Sequence, residues 1–285
     1  MSNKKSKIFD NQSSDFINSL KHRSRIQNIN ESGMIILNYD QYKYPFANAM
    51  VNSLIKRGYI DKDISLDQLH QYLLHEDMNV DQNQINNVIK SLYDADLEMT
   101  ILYGQFMSDI IVPAIGQNCF IQKTPTNRFS FPFSKGMTDR DYHNDIMLGH
   151  PPEEINVWIP FTDASQSRSF QILPLSFSLE LLERYQYNLP DLHNAIWNDD
   201  KLFYLLQEKA NFVELMPGKV LLFDSRCIHA AIINKSKYTR VSMDVRVLPT
   251  EDYDNLPFAY IGTGRRQSHF VPGDYYNANP ELINI

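Results

Sequence analysis

The sequence contains only two cysteines, Cys119 and Cys227, and they form no CxxC pair. That excludes a disulfide framework and argues against a structural zinc site closed by thiolates. A reducing, cytoplasmic compartment is the expectation. No run approaches the roughly 18 apolar residues of a membrane span. The N-terminus has no apolar core of the kind a secretory signal carries. Basic residues are not in excess: 27 Lys and Arg stand against 34 Asp and Glu, a net charge of −7. With no evident basic stripe, that balance disfavours a nucleic-acid or anionic-membrane partner. No internal repeat is visible. What remains is an ordinary globular composition, 43% hydrophobic and 21% charged over 285 residues. It fits one large domain, or one domain with a sizeable insertion.

Chemistry concentrates in two short stretches. Tyr142-His143-Asn144-Asp145 holds a His-x-Asp pair, and Asp224-Ser225-Arg226-Cys227-Ile228-His229 holds a second histidine. Arg240 follows eleven residues after His229. In an extended segment, residues i and i+2 point to the same side, so His143 and Asp145 can both face one interior. Two imidazoles and one carboxylate on one face of a metal are the ligand set of non-haem Fe(II) oxygenases. The opposite face then stays open for a bidentate 2-oxo acid and for dioxygen. His-x-Asp alone occurs by chance in many chains. The ordered downstream strand, histidine and arginine make the signal specific.

The run Tyr238 to Leu248 alternates strictly. Arg240, Ser242, Asp244 and Arg246 share one face, and Val241, Met243, Val245 and Val247 share the other. This is a half-polar strand, whose polar face either looks into a site or is merely solvated. Arg240 is the candidate anchor for the 2-oxo acid carboxylate, because a guanidinium binds carboxylate through two parallel hydrogen bonds and stays charged when buried. Ser242 could add a hydroxyl, and Arg246 is the second candidate anchor. Gln122, Arg128 and Asn156 sit on neighbouring strand-like runs. Each could reach the co-substrate or substrate, or be an ordinary strand residue.

H-x-D, a distant H and then R on a strand-rich C-terminal half resembles the Fe(II)/2-oxoglutarate-dependent dioxygenases, and within them the phytanoyl-CoA hydroxylase-type superfamily. The likeness covers residues 115 to 250 or so. His143 to Pro152, Asn156-Val157-Trp158-Ile159-Pro160 and Leu222 to His229 are similar to a bacterial branch with oxygenase-like proteins of streptomycin biosynthesis. The resemblance implies a mainly β fold with flanking helices, a double-stranded β-helix or cupin-like jelly-roll barrel. It implies Fe(II), 2-oxoglutarate as co-substrate and dioxygen, with oxidation of an unactivated C–H bond in a small molecule. A sugar, an aminocyclitol or an amino-acid-like metabolite fits the branch. Asp145 fills the position that a halide takes in related halogenases, which implies hydroxylation or desaturation and not chlorination. A desaturase or epimerase on the same scaffold, or a jelly-roll binding protein without turnover, are the alternatives.

Along the chain, residues 1–15 read as a flexible tail and 16–285 as a single oxygenase domain. Its helical part is expected over 44–110, its barrel core over 115–250 and a loop region over 251–285. Helices are expected from Pro45 to Gly58, over Ser65 to Leu74 and over Asp81 to Phe106. A further helical stretch should run from Ser176 towards Lys209, interrupted by Pro190. His70, His75 and His193 read as surface or structural. His150 could contact substrate, and Asp224 could orient a ligand or form a turn. Arg265, Arg266, His269 and Tyr275 fall in a segment that folds over the barrel mouth or is plain surface.

Overall fold

The computed structural model describes residues 14–22, 24–26, 31–73, 97–134, 138–253, 260–261, 269–270 and 272–277. Expectations on 1–13, His75, the helix over 81–96, Arg265 and Arg266 lie outside the described residues, as does the side chain of His269.

In chain order the strands are β1 (Met34–Asn38), β2 (Cys119–Ile121), β3 (Thr126–Ser130), β4 (Ile155–Pro160), β5 (Phe170–Ile172), β6 (Asn211–Phe212), β7 (Lys219–Asp224), β8 (His229–Ala231) and β9 (Arg240–Pro249). A short pair follows, β10 (Tyr260–Ile261) and β11 (His269–Phe270). The longer helices are α1 (Ser14–Leu20), α2 (Phe46–Lys56), α3 (Leu97–Phe106), α4 (Leu175–Arg184), α5 (Leu189–Asn198) and α6 (Asp200–Lys209).

Two antiparallel sheets face each other as a double-stranded β-helix, or jelly roll. The larger sheet runs β1-β7-β4-β9-β2, and β3 also pairs with β9. The long β9 hosts both: β2 lies along Val247 to Pro249 and β3 along Arg240 to Asp244. The smaller sheet runs β6-β5-β8. An isolated antiparallel bridge adds His143 beside His229 at its edge.

The period-two alternation of β9 separates two environments. Val241, Met243, Val245 and Val247 join Ile155, Val157, Ile159, Val220 and Leu222 on the outer face, buried under Phe46, Met50 and Leu54 of α2 and Leu102 and Phe106 of α3. The polar residues of β9 therefore point between the sheets. There Trp158 and Phe223 meet Phe170 and Ile172 of the smaller sheet. Trp158 and Phe170 lie edge to face at 5.0 Å, a favoured aromatic geometry. The strands β4 and β7 read as continuous apolar runs because both of their faces are covered.

Several local expectations change in detail. Helix α2 ends as the glycine predicts, with Gly58 at φ +73° just beyond Arg57. The stretch from Ser65 forms a tight 3-10 turn, Leu66–Gln71, and not an α-helix. Helix α3 passes through a π-helical turn, Met107–Ile111, into Val112–Ile115. Pro113 lies there and has no N–H to complete regular α-helical bonding. Pro190 does not interrupt the later helical stretch. It lies in the first turn of α5, where its missing N–H costs nothing, and the Asn188 side chain caps that turn. The real breaks are Gln186 and Tyr187, at φ +52° and +60°, and Asp199, which caps α6.

Helices α4, α5 and α6 back the segment that carries His143 and Asp145. Tyr142, Ile146 and Met147 are buried with Leu192, Ile196 and Phe203. Arg140 donates to the carbonyl of Trp197 at 3.0 Å and lies 4.3 Å over the Phe203 ring. Among the described residues no helix is long and apolar enough to cross a membrane.

Gly33 joins this helical layer to the sheet. Its φ is +73°, and a Cβ there would lie 2.4 Å from Leu175 Cβ and 2.9 Å from Cys227 Sγ. Gly33→Ala is expected to destabilise the fold by about 2–4 kcal/mol, combining overpacking with left-handed strain. Urea denaturation checks this. A loss under about 0.5 kcal/mol, the scale of a neutral surface change, would mean that the chain relaxes freely there.

Candidate metal and co-substrate site

His143 and His229 meet through backbone bonds. The His143 N–H donates to His229 O at 2.9 Å, and the His229 N–H returns to His143 O at 2.8 Å. Their rings lie 4.7 Å apart between centroids. The segment stays extended through Asn144, then tightens. The Asn144 side chain accepts the Met147 N–H at 3.1 Å, capping the turn Asp145–Leu148. That cap turns Asn144 away from the two residues flanking it. One ligand atom from each of His143, Asp145 and His229 falls within 4.8 Å of the others.

The two imidazoles are prepared in the same way. His143 Nδ1 lies 2.7 Å from the Asp141 carbonyl, and His229 Nδ1 lies 3.1 Å from that of Cys227. Each ring then donates from Nδ1 and keeps its lone pair on Nε2, the tautomer that offers Nε2 to a metal. Burial, with His229 alongside, lowers the His143 pKa to about 4, so the ring is neutral at neutral pH.

Asp145 is fully buried. Burial by itself would raise its pKa. Arg246, His229 and His150 together outweigh that and hold the carboxyl well below the usual range. Its Oδ2 accepts from Arg246 Nε at 2.8 Å. Its Oδ1 has no hydrogen-bond partner and lies 3.8 Å from His229 Nε2. A buried carboxylate oxygen without a donor is costly. Two open imidazole nitrogens and that oxygen form a donor set that fits one divalent cation.

Arg240 lies further along the same inner face. It is buried and donates to Ser242 Oγ at 2.9 Å. Its Nε has no hydrogen-bond partner, and among the described residues no carboxylate lies within ion-pair distance. Burial lowers its pKa to about 10; Asp244 opposes that shift and Arg128 adds to it. A buried guanidinium with unused donors fits an incoming carboxylate. Arg246 is in the opposite condition, since Asp145 already holds it.

The other candidates divide. The Nδ2 of Asn156 is buried on the inner face without a partner, beside Arg246 on β9. Gln122 is turned to the fold itself. Its Oε1 accepts the Arg246 N–H at 3.0 Å, and its Nε2 donates to Thr124 O at 2.6 Å and to Thr126 Oγ1 at 3.2 Å. Arg128 pairs with Asp244 at 2.7 Å, both partly exposed. His150 faces Glu154, 3.0 Å away. Asp224 forms the turn after β7, accepting Arg226 on both oxygens at 2.7 Å.

A buried layer lies behind Asp145; the sequence singles out its His150, Arg246 and Tyr275 and gives no signal for Glu154 or Tyr276. Glu154 takes His150 and the Tyr276 hydroxyl, and Arg246 reaches the Tyr275 hydroxyl at 3.2 Å. The two tyrosines arrive because residues 272–277 run along β2, with the Lys123 N–H donating to Tyr275 O and the Asn277 N–H to Ile121 O, both at 2.9 Å.

A jelly roll with this donor set and a separate buried guanidinium defines a candidate site for one divalent cation and, beside it, a carboxylate. The chain belongs to the phytanoyl-CoA dioxygenase family (PhyH), whose model matches residues 62–242. Over 136 residues it is 26% identical to the streptomycin biosynthesis protein StrG of Streptomyces griseus, a match covering 47% of this chain and 49% of StrG. The chain thus spans about half the length of that curated relative. Its fold is similar to that of EctD from S. alaskensis with 2-oxoglutarate and 5-hydroxyectoine. There the TM-score is 0.50 and the identity 13%, over 86% of this chain and 80% of that one. The non-heme alpha ketoglutarate dependent carbocyclase SnoK from nogalamycin biosynthesis aligns with a TM-score of 0.40 at 15% identity, over 84% of this chain and 85% of that one.

Proposed function

We propose that this chain hydroxylates a small polar metabolite, a sugar, aminocyclitol or amino-acid-like compound, using Fe(II), 2-oxoglutarate and dioxygen. The observation that carries the reading is the unpartnered Asp145 Oδ1 beside His229 Nε2. His143, Asp145 and His229 would hold the iron. Arg240 would bind the distal carboxylate of 2-oxoglutarate, with Ser242 fixing the guanidinium and the Asn156 amide donating nearby. Gln122 supports this set from the strand, by holding the Arg246 backbone. Bound iron supplies the oxidising power, drawing on dioxygen and on decarboxylation of the 2-oxo acid to succinate.

The protein's own contribution is placement and exclusion of water. Trp158, Phe170 and Phe223 wall the interior between the sheets, which shields a reactive centre. The partly exposed Arg128–Asp244 pair gives the same face a charged patch suited to a polar substrate. The StrG likeness supports the sugar or aminocyclitol class. The two buried free thiols, Cys119 and Cys227, suit the cytoplasm, and the net charge of −7 suits a partner other than nucleic acid. One oxygenase domain over 16–285 is the simplest organisation.

The test is anaerobic titration of Fe(II) and 2-oxoglutarate, followed by the weak visible metal-to-ligand charge-transfer band. Wild type should develop the band and His143→Ala should not. Succinate release in air should then rise with the correct sugar, aminocyclitol or amino acid. A folded wild type that shows no band would sink the oxygenase reading and favour a binding protein.

A further inference from the structure

Resting on the iron-site reading above, we propose that Arg246, held in turn by Tyr275, keeps Asp145 a one-oxygen ligand. A carboxylate can offer a metal one oxygen or two. In an octahedral site, a three-residue facial triad leaves room for a chelating 2-oxo acid and dioxygen. A second oxygen from Asp145 would take one of those positions.

The geometry prevents it. Asp145 Oδ2 accepts from Arg246 Nε at 2.8 Å, while Oδ1 alone is left towards His229 Nε2. Arg246 cannot drift, because its other partners surround it. Its NH1 meets the Tyr275 hydroxyl at 3.2 Å, and its Nε lies 4.0 Å from Glu154 Oε2. Glu154 is itself fixed by His150 and Tyr276. Tyr275 and Tyr276 come from residues 272–277, about 130 positions after Asp145 and bonded to the β2 edge. The C-terminal segment therefore supports the iron ligand through Arg246. Arg246 and Tyr275 are positioning residues, and neither needs to touch the metal or the substrate.

The test uses the full chain loaded with Co(II) alone, whose visible d–d spectrum reports coordination, followed by 2-oxoglutarate titration. Arg246→Met frees Oδ2. Co(II) should still bind, with an altered spectrum before any co-substrate is added, and 2-oxoglutarate binding should weaken about tenfold or more. Arg246→Lys keeps a donor for Oδ2 and should restore much of the wild-type spectrum. Tyr275→Phe should move both readouts in the Met variant's direction by a smaller factor. A merely structural role would leave both affinities intact in a folded variant, or lose them together, and either result overturns the proposal. If Arg246→Met does not fold, Tyr275→Phe decides, and a wild-type spectrum with wild-type 2-oxoglutarate affinity overturns it. Failure of wild type to bind Co(II) would instead overturn the iron-site reading beneath it.

Discussion

Replacing Arg240 with alanine is expected to raise the 2-oxoglutarate concentration needed for half-saturation by about 30-fold to more than 1,000-fold. The estimate follows from the cost of truncating one partner of a buried charge pair, about 2–5 kcal/mol, at a factor of ten per 1.4 kcal/mol. Its physical basis is the state of the guanidinium. Arg240 is buried, its Nε has no hydrogen-bond partner, and among the described residues its side chain bonds only to neutral Ser242. A carboxylate arriving there meets a charge that has already been desolvated by folding, so little extra desolvation opposes the new bonds. Arg240→Lys should fall between wild type and alanine, because an ammonium keeps the charge and loses the planar fork. Metal binding should be unaffected, since Arg240 contacts none of His143, Asp145 or His229. The charge-transfer titration measures this directly. A change under threefold in Arg240→Ala would place the co-substrate carboxylate elsewhere.

Arg226→Met is expected to cost about 3–5 kcal/mol of stability, the penalty for breaking a buried ion pair from one side. Asp224 and Arg226 have side-chain exposures of 3% and 1%, and the pair is bidentate. Arg226 NH1 also donates to the carbonyls of Leu20 and His22, at 3.0 and 2.6 Å. It therefore fastens the end of α1 to the turn between β7 and β8. Methionine would leave Asp224 charged, buried and short of donors, with two carbonyls of the N-terminal segment released. The double change Asp224→Leu with Arg226→Met should be much milder than the single one, because no unpaired charge remains. Chemical denaturation of the three variants checks the coupling. If the single change costs less than about 1 kcal/mol, the scale of an exposed ion pair, water must reach the pair. His229 lies three residues beyond Arg226, so a loosened turn should also weaken metal binding.

Much of the architecture is legible because it is periodic. Residues alternate along a strand, so Arg240, Ser242, Asp244 and Arg246 had to share a face, and their valine and methionine neighbours the other. The His-x-Asp spacing likewise places two donors on one side of an extended segment. What escaped was local competition. Pro190 looked like a break and is a helix start, since the same missing N–H is harmful inside a helix and harmless in its first turn. Ser65 to Leu74 has helical spacing, and its described part closes only as a 3-10 turn, with His70 on Thr239 and the Thr239 N–H on Asp67 O.

The sequence by itself determined the order of donors, H-x-D, H and R, and a strand whose polar face could carry them. Both arginines lie on that face, and alternation cannot tell them apart. Tertiary structure alone decided their different surroundings. Asp145, 101 residues before Arg246, meets it and leaves Arg240 without an anion among the described residues. The reason is that period is a property of neighbours in the chain, whereas charge pairing depends on which distant segments folding brings within about 4 Å. The same holds for Tyr275 and Tyr276, which reach Arg246 and Glu154 only because residues 272–277 run along β2.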